Sequence, residues 1–411
     1  MMLRAEGILP PMKPNALYLL KGILFTMKKY KTGWITTLSF LFLIAGGSLV
    51  TALTPDKDFS ETENRILKQH PALTVKSLAD GSYMKDYESY FSDQFFLRDS
   101  WISLKTSTER ALLRKEIHGV FLGKHGYLIS RQFPEDYTGK QAEKNKESLV
   151  NFITRLSSSY DASHLKVLLA PTAATVLSDY LPFCAPSYDQ TLYLKEIKEA
   201  LPSGCFTDVF PVLSSHKTEE IYYHTDHHWT SYGAYLAYQA WVKDCGISPY
   251  PLSDFEKETG TDSFYGTLQA KVCQADTSDA IELYTKKNTT FSVIQNEKEE
   301  TRTDSMFDRS ALSTKDKYKV FLGGNEPFVE IQNQMPEADA KGRRLLLIKD
   351  SYANSFVPFA AGHFETVYLA DLRYLTRTIS SILEEKKITD VLVLYNVSSF
   401  VTDTQIGKIG L

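Results

Sequence analysis

The first strong pattern along the chain is an uncharged apolar run from Gly33 to Leu53, rich in Leu, Ile, Phe and Val. It is long enough for a spanning helix, which needs roughly 20 apolar residues. Lys28, Lys29 and Lys31 precede it, and Asp56, Lys57 and Asp58 follow. The upstream lysines place residues 1–32 on the cytoplasmic side and the rest outside. Two readings stay open: a retained signal anchor at 33–53, or a signal peptide cut near Val50-Thr51-Ala52. Both export everything after residue 55, leaving either a single-pass membrane protein with an extracellular domain or a secreted one. No Cys follows the run, which argues against a lipoprotein. Met27 reads as a natural start, with 1–26 an extension from an earlier start codon.

Beyond the run the polar and apolar positions alternate between helix and strand periods. Residues 56–135 form a lead-in region. A helix start is read at Ser60-Glu61-Thr62-Glu63, and helical patterns run around 84–96 and 101–113. Residues 119–129 predict two short strands about a Gly turn. In 136–411 the spacing predicts helices over 140–157, 190–200 and 231–245, a buried strand at Leu165–Ala170 and a short strand at Cys205–Phe210. Residues 246–340 break this rhythm with turn signals and short alternating runs, and read as an insertion of short strands. Three apolar strands follow, Leu345–Ile348, Thr366–Leu369 and Val391–Leu394, separated by helical stretches near 353–361 and 376–386. This alternation predicts an α/β fold, a parallel sheet flanked by helices.

Composition narrows the function classes. With 43% hydrophobic and 23% charged residues the 411-residue chain is ordinary globular material, and a net charge of −4 offers no basic excess for nucleic acid. The cysteines at 184, 205, 245 and 273 form no C-x-x-C pair, which argues against zinc knuckles. They are open to pairing as up to two disulfides or to burial as thiols.

The candidate chemistry centres on Asp226-His227-His228-Trp229. On an extended segment Asp226 and His228 share one face, so the carboxylate can fix the imidazole tautomer, as in a Ser-His-Asp triad. His227 is the alternative base if the segment turns. Ser351, just past the strand at Leu345–Ile348, is the candidate nucleophile; its plain structural role would be a helix N-cap. The three late strands end in polar residues, at Asp350-Ser351, Asp371-Leu372-Arg373 and Asn396, where sites in open α/β sheets collect. Asn396 and the turn N–H groups near Leu372 and Arg373 are candidate oxyanion donors. Arg373 is open to an anionic group or to pairing with Asp371. Trp229 reads as packing before sugar platform. A metal reading rests on His224 and His228 flanking Asp226, and no further His or Cys cluster supports it.

These residues resemble the bacterial DHHW family, named for the four residues at 226–229, and beyond it the exported polysaccharide O-acetyltransferases of the alginate acetylation type. Ser60-Glu61-Thr62-Glu63-Asn64-Arg65, Gly123-Lys124-His125-Gly126-Tyr127-Leu128, Lys349-Asp350-Ser351-Tyr352-Ala353-Asn354-Ser355 and Asp371-Leu372-Arg373-Tyr374 agree with it. The resemblance implies a circularly permuted SGNH-hydrolase-like fold preceded by one transmembrane helix. It implies Ser351 as nucleophile, His228 as base, Asp226 as its orienting partner and Asn396 at the oxyanion position. Tyr352, Arg373, Asn325, His227 and Trp229 complete the oxyanion and substrate candidates, Asn325 through the turn Gly323-Gly324-Asn325. The pattern departs at Lys349, where a Gly is usual. The implied activity is transfer of an acetyl group to hydroxyls of an extracellular or cell-wall polysaccharide, supplied by a membrane-bound O-acyltransferase and needing no cofactor or metal. A carbohydrate esterase with the same triad and a non-catalytic polysaccharide-binding or assembly factor are the alternatives.

Overall fold

A computed structural model describes residues 14–60, 65–273, 277–295 and 301–411. Residues 1–13 and 61–64, with most of the expected helix start at 60–63, lie outside it. Ser60 itself ends a two-residue strand, Phe59–Ser60, paired with Arg65–Ile66.

The described residues divide into two units, one built from 14–60 and 65–101 and the other from 102 onward. The first holds α1 (Pro14–Leu53), α2 (Ser82–Gln94) and the start of α3 (Arg98–Ala111). Within α1, Gly33–Leu53 is long and apolar enough to cross a membrane.

The second unit opens with a three-stranded antiparallel sheet, β1 (Glu116–Ile117), β2 (Val120–Leu122) and β3 (Leu128–Ser130). Then come α4 (Lys140–Leu156), β4 (Leu165–Ala170), α5 (Gln190–Ala200) and α6 (Ser231–Asp244). The expected strand at Cys205–Phe210 is not formed. Only an isolated bridge joins Phe206 to Val167, because Phe210 and Pro211 already open a short helix.

The long hairpin β5 (Phe255–Phe264) and β6 (Asp279–Lys286) is joined through α7 (Thr267–Val272). Next are β7 (Phe291–Gln295), β8 (Thr301–Thr303), β9 (Phe328–Asn333), β10 (Arg344–Lys349), α8 (Ala353–Ala360), β11 (Thr366–Ala370), α9 (Ile379–Glu385), β12 (Asp390–Asn396) and α10 (Val397–Thr402). The central sheet has seven strands in the order β8-β7-β9-β11-β10-β12-β4. Neighbours among β11, β10, β12 and β4 run parallel, whereas β9, β7 and β8 add antiparallel pairs at one edge. The expected parallel pairing holds among these four strands, and the antiparallel edge makes the whole sheet mixed. The three edge strands come from 246–340, the segment read as an insertion of short strands.

Strand residues alternate between two cores. Leu345, Leu347, Leu392 and Leu394 face α6 and α8, with Trp241 and Phe356 among their cluster. Leu346, Ile348, Val391 and Val393 face α4, α5, α9 and α10, with Phe152, Ile197, Ile379 and Phe400. Burial on both faces explains why these strands read as continuous apolar runs.

Candidate active site

The Asp-His-His-Trp segment is a turn, not the extended strand expected. A bridge between Tyr222 and Trp229 closes it, and the Tyr223 N–H donates to the His228 carbonyl at 3.2 Å. Inside, Asp226 Oδ1 accepts the His228 backbone N–H at 3.0 Å and lies 2.5 Å from His228 Nδ1. Asp226 and His228 still meet, through this two-residue carboxylate turn rather than through strand alternation.

The other Asp226 oxygen accepts the Thr267 N–H at 2.7 Å and the Thr267 hydroxyl at 3.0 Å. Burial pushes the Asp226 carboxyl upward, but His227, His228 and the Thr267 N–H outweigh it and hold the group well below the usual carboxylate range. An ionised carboxylate only accepts, so His228 Nδ1 carries a proton toward it, and Nε2 is the ring nitrogen left to face the serine. His228 Nε2 lies 2.7 Å from Ser351 Oγ. The Tyr318 ring stacks on the His228 ring, with centroids 3.9 Å apart and 12° between planes.

His227 faces a different way. Its Nδ1 lies 2.8 Å from Thr267 Oγ1, whose own proton goes to Asp226, so His227 donates there. Burial and the adjacent His228 hold its pKa below the usual imidazole range. Asp226, His227 and His228 offer ligand atoms within 4.8 Å of one another, yet each is engaged by the bonds just described. His224, the other ring of the metal reading, turns away and pairs with Asp279 at 3.0 Å.

Ser351 sits between β10 and α8. Tyr352, not Ser351, is the N-cap of α8, and it makes no side-chain cap bond. The preceding Asp350 is buried, and its two oxygens accept the Tyr352 N–H and the Asn396 N–H, each at 2.9 Å. This carboxylate ties the ends of β10 and β12 and shapes the turn that presents Ser351. The Ser351 N–H has no hydrogen-bond partner among the described residues. Asn396 caps α10, its Oδ1 accepting the Ser398 and Ser399 N–H groups at 2.9 and 3.2 Å. That fixes the amide orientation and leaves a buried Nδ2 without a partner. Asn396 lines a cavity of about 280 Å3 with Asp226, His227, Thr267, Lys271 and Ser398.

The remaining candidates are engaged elsewhere. Trp229 is fully buried, its Nε1 donating to the Tyr352 carbonyl at 3.0 Å and to Ser355 Oγ at 3.1 Å, so it cannot serve as a sugar platform. The buried Tyr352 hydroxyl donates to the His227 carbonyl. Arg373 grips Asp371 with two guanidinium bonds, and its N–H donates to the same carboxylate at 3.2 Å, so this turn N–H is already taken. Asn325 Oδ1 accepts from Lys349 at 3.1 Å and from Asn354 at 3.2 Å. Its turn runs through Leu322, Gly323 and Gly324 at φ of 60°, 70° and 111°, a path that glycine permits.

Sequence reasoning missed Thr267, Tyr318 and Gly266, and named Asp350 only as a polar strand end. Gly266 has a strict reason to be glycine: a Cβ there would lie 2.2 Å from the Asp226 Cβ. It also missed what Lys349 does. This buried ammonium donates to Asn354 Oδ1 at 2.7 Å and lies 4.0 Å from Asp371. Burial drives its pKa from 10.5 down to about 8, against the pull of Asp371. Between those values the folded chain binds fewer protons than the unfolded one, so stability rises with pH across the window. Relative to Lys349→Met, the native chain should gain on the order of 3 kcal/mol from pH 8 to 10.5. Denaturant unfolding at both ends measures this, and parallel pH dependences in the two proteins would refute it.

The chain resembles the DHHW family. The family model described as DHHW protein matches residues 190–370. A DHHW family protein from Eubacterium siraeum is 26% identical, with a TM-score of 0.61 over 71% of this chain and 95% of that one. PatB1 of Bacillus cereus, solved with a sulfonyl adduct, is 21% identical with a TM-score of 0.56 over 71% and 100%. A second PatB1 structure is 20% identical with a TM-score of 0.57 over 69% and 97%. The PatB1 likeness shows the fold alone. No curated protein matches the sequence.

Proposed function

We propose that this protein is an exported acyltransferase that moves acetyl groups onto hydroxyls of a cell-envelope or extracellular polysaccharide, with Ser351 as nucleophile, His228 as base and Asp226 as its orienting partner. One observation carries the reading: the unbroken chain from Asp226 Oδ1 through His228 to Ser351 Oγ, with contacts of 2.5 and 2.7 Å. In the first half-reaction Ser351 Oγ attacks the acetyl carbonyl of a donor ester. His228 Nε2 takes the serine proton and passes it to the leaving oxygen. In the second, a sugar hydroxyl attacks the acetyl-serine, His228 takes that proton, and Ser351 leaves with it restored. The Ser351 N–H and Asn396 Nδ2 are the oxyanion donors in this reading, since each lacks a partner in the resting site.

The chain order, base before nucleophile, agrees with a circularly permuted SGNH-hydrolase-like arrangement over 136–411. In this reading the Gly33–Leu53 helix is a single-pass anchor with the catalytic unit outside, where acetyl groups arrive through a membrane partner such as a membrane-bound O-acyltransferase. Tethering beside that partner raises the effective acetyl concentration.

The test uses an activated acetyl ester and intact-protein mass spectrometry. We expect the mass of one acetyl group on the peptide holding Ser351, discharged by an oligosaccharide to give acetylated sugar. Discharge to free acetate alone would make the protein an esterase. No adduct on Ser351, together with resistance to a sulfonyl fluoride, would leave a polysaccharide-binding role.

A further inference from the structure

We propose that the turn Phe95–Leu97 is a membrane-interface wedge, seated in the lipid leaflet at the C-terminal end of the Gly33–Leu53 span, and that this span is retained as part of the folded unit rather than cleaved. The inference rests on the membrane reading of that helix and is independent of the chemistry at Ser351.

The span is not a bare tether. Gly47 is buried, and a Cβ there would meet the Phe95 ring at 3.1 Å and the Phe96 ring at 3.2 Å. One turn on, Thr51 is buried; its hydroxyl donates to the Gly47 carbonyl at 2.9 Å and accepts the Phe96 N–H at 3.1 Å. Cleavage near Val50-Thr51-Ala52 would strip Gly47 from both rings and break this seat.

The depth follows from helix geometry. At 1.5 Å per residue, Gly47 lies about 9 Å inward from the end of the run at Leu53. A bilayer core of roughly 30 Å matches the length of the run. Rings that touch Gly47 therefore lie below the headgroup boundary, in the zone where amphipathic segments bury their apolar sides.

The exposed surface has the character this requires. Leu97 is 64% exposed and held at φ 52°, a left-handed conformation that a leucine rarely adopts. Trp101, one turn on, is 38% exposed and of the type enriched at membrane boundaries. The patch continues onto the outward residues of the span, Leu49 and Leu53, at 62% and 76% exposure. Its backbone is prepared for a dry setting, since Arg98 N–H donates to Phe95 O at 3.1 Å and Trp101 N–H to Leu97 O at 3.0 Å. Lipid is the occupant that covers both surfaces at once.

The test uses the full chain in phosphatidylcholine–phosphatidylglycerol liposomes, with the native cysteines replaced by serine and a nitrobenzoxadiazole dye on Leu97→Cys. We expect blue-shifted emission, quenched at least twofold more by a nitroxide at acyl carbon 5 than at carbon 12. Gly47→Leu, which pushes the two Phe rings off the helix, should at least halve that quenching. Water-like emission would overturn the proposal, and so would blue-shifted emission that no lipid quencher touches but that accompanies crosslinking to a second copy. Intact mass of the native membrane protein is a separate check: a chain beginning after Ala52 would overturn retention. The Ser351→Ala protein should give the same readings, so failure here and failure of the acyl-transfer reading are distinguishable.

Discussion

Ser351→Ala should lower kcat for acetyl transfer by at least about 10^3-fold and abolish the acetyl adduct, while leaving the fold intact. Among the described residues the hydroxyl is the only group that His228 Nε2 meets at hydrogen-bond distance, and its loss removes the attacking atom itself. The stability cost is small by comparison, about 1 kcal/mol for the lost hydrogen bond, and the Asp350 links between β10 and β12 remain. Residual turnover would come from the Ser351 N–H and Asn396 donors and from positioning alone. Turnover within tenfold of the native rate would reject Ser351 as nucleophile. A parallel His227→Ala protein should stay within about tenfold of native, since that ring bonds Thr267 and not the serine.

Asp226→Asn should also be severe, about 10^4-fold in kcat, by a different route. One oxygen of the native carboxylate faces His228, and the other accepts two donors from Thr267. An amide has one oxygen for both duties. If it keeps the Thr267 N–H, its NH2 faces His228 Nδ1 and forces the ring into the opposite tautomer. Nε2 then carries a proton toward Ser351 and cannot take one. The substitution also removes the charge that stabilises the imidazolium. Kinetics should show kcat falling with KM little changed, and nitrogen-15 NMR of His228 should show the exchanged tautomer. A native tautomer with native kcat would reject the orienting role. The carboxyl's lowered pKa means that the folded state prefers it ionised. Its contribution to stability is full above the ordinary carboxylate range and is lost as pH falls through the depressed value.

Much of this was legible in the residues, and the rest has physical reasons for having been hidden. The strands at 165–170, 345–348, 366–369 and 391–394 announced themselves as apolar runs because both of their faces are buried. Asp226 and His228 could be named from their alternate spacing, Ser351 from its place just past an apolar strand, and all three from the family resemblance. The turn geometry at 226–228 could not, since a carboxylate closing a two-residue loop and a carboxylate on a strand have the same spacing. The antiparallel edge strands were read as an insertion because each is short and half polar, with Phe291 and Val293 buried between intermediate neighbours. Thr267 and Tyr318 were missed for the reason that nothing local marks them. Their chemistry arises only when distant segments fold onto Asp226 and His228.

That placement has a consequence for anyone recombining this protein with its relatives. The carboxylate that orients the base takes its two outer donors from a hairpin arm, while the rest of its segment is bonded to the layered α/β body that carries the serine. An exchange of residues 255–286 meant to graft a new specificity would also replace the brace. A chimera that omits the glycine at 266 or the hydroxyl at 267 should fold, present an intact serine, and still be inert.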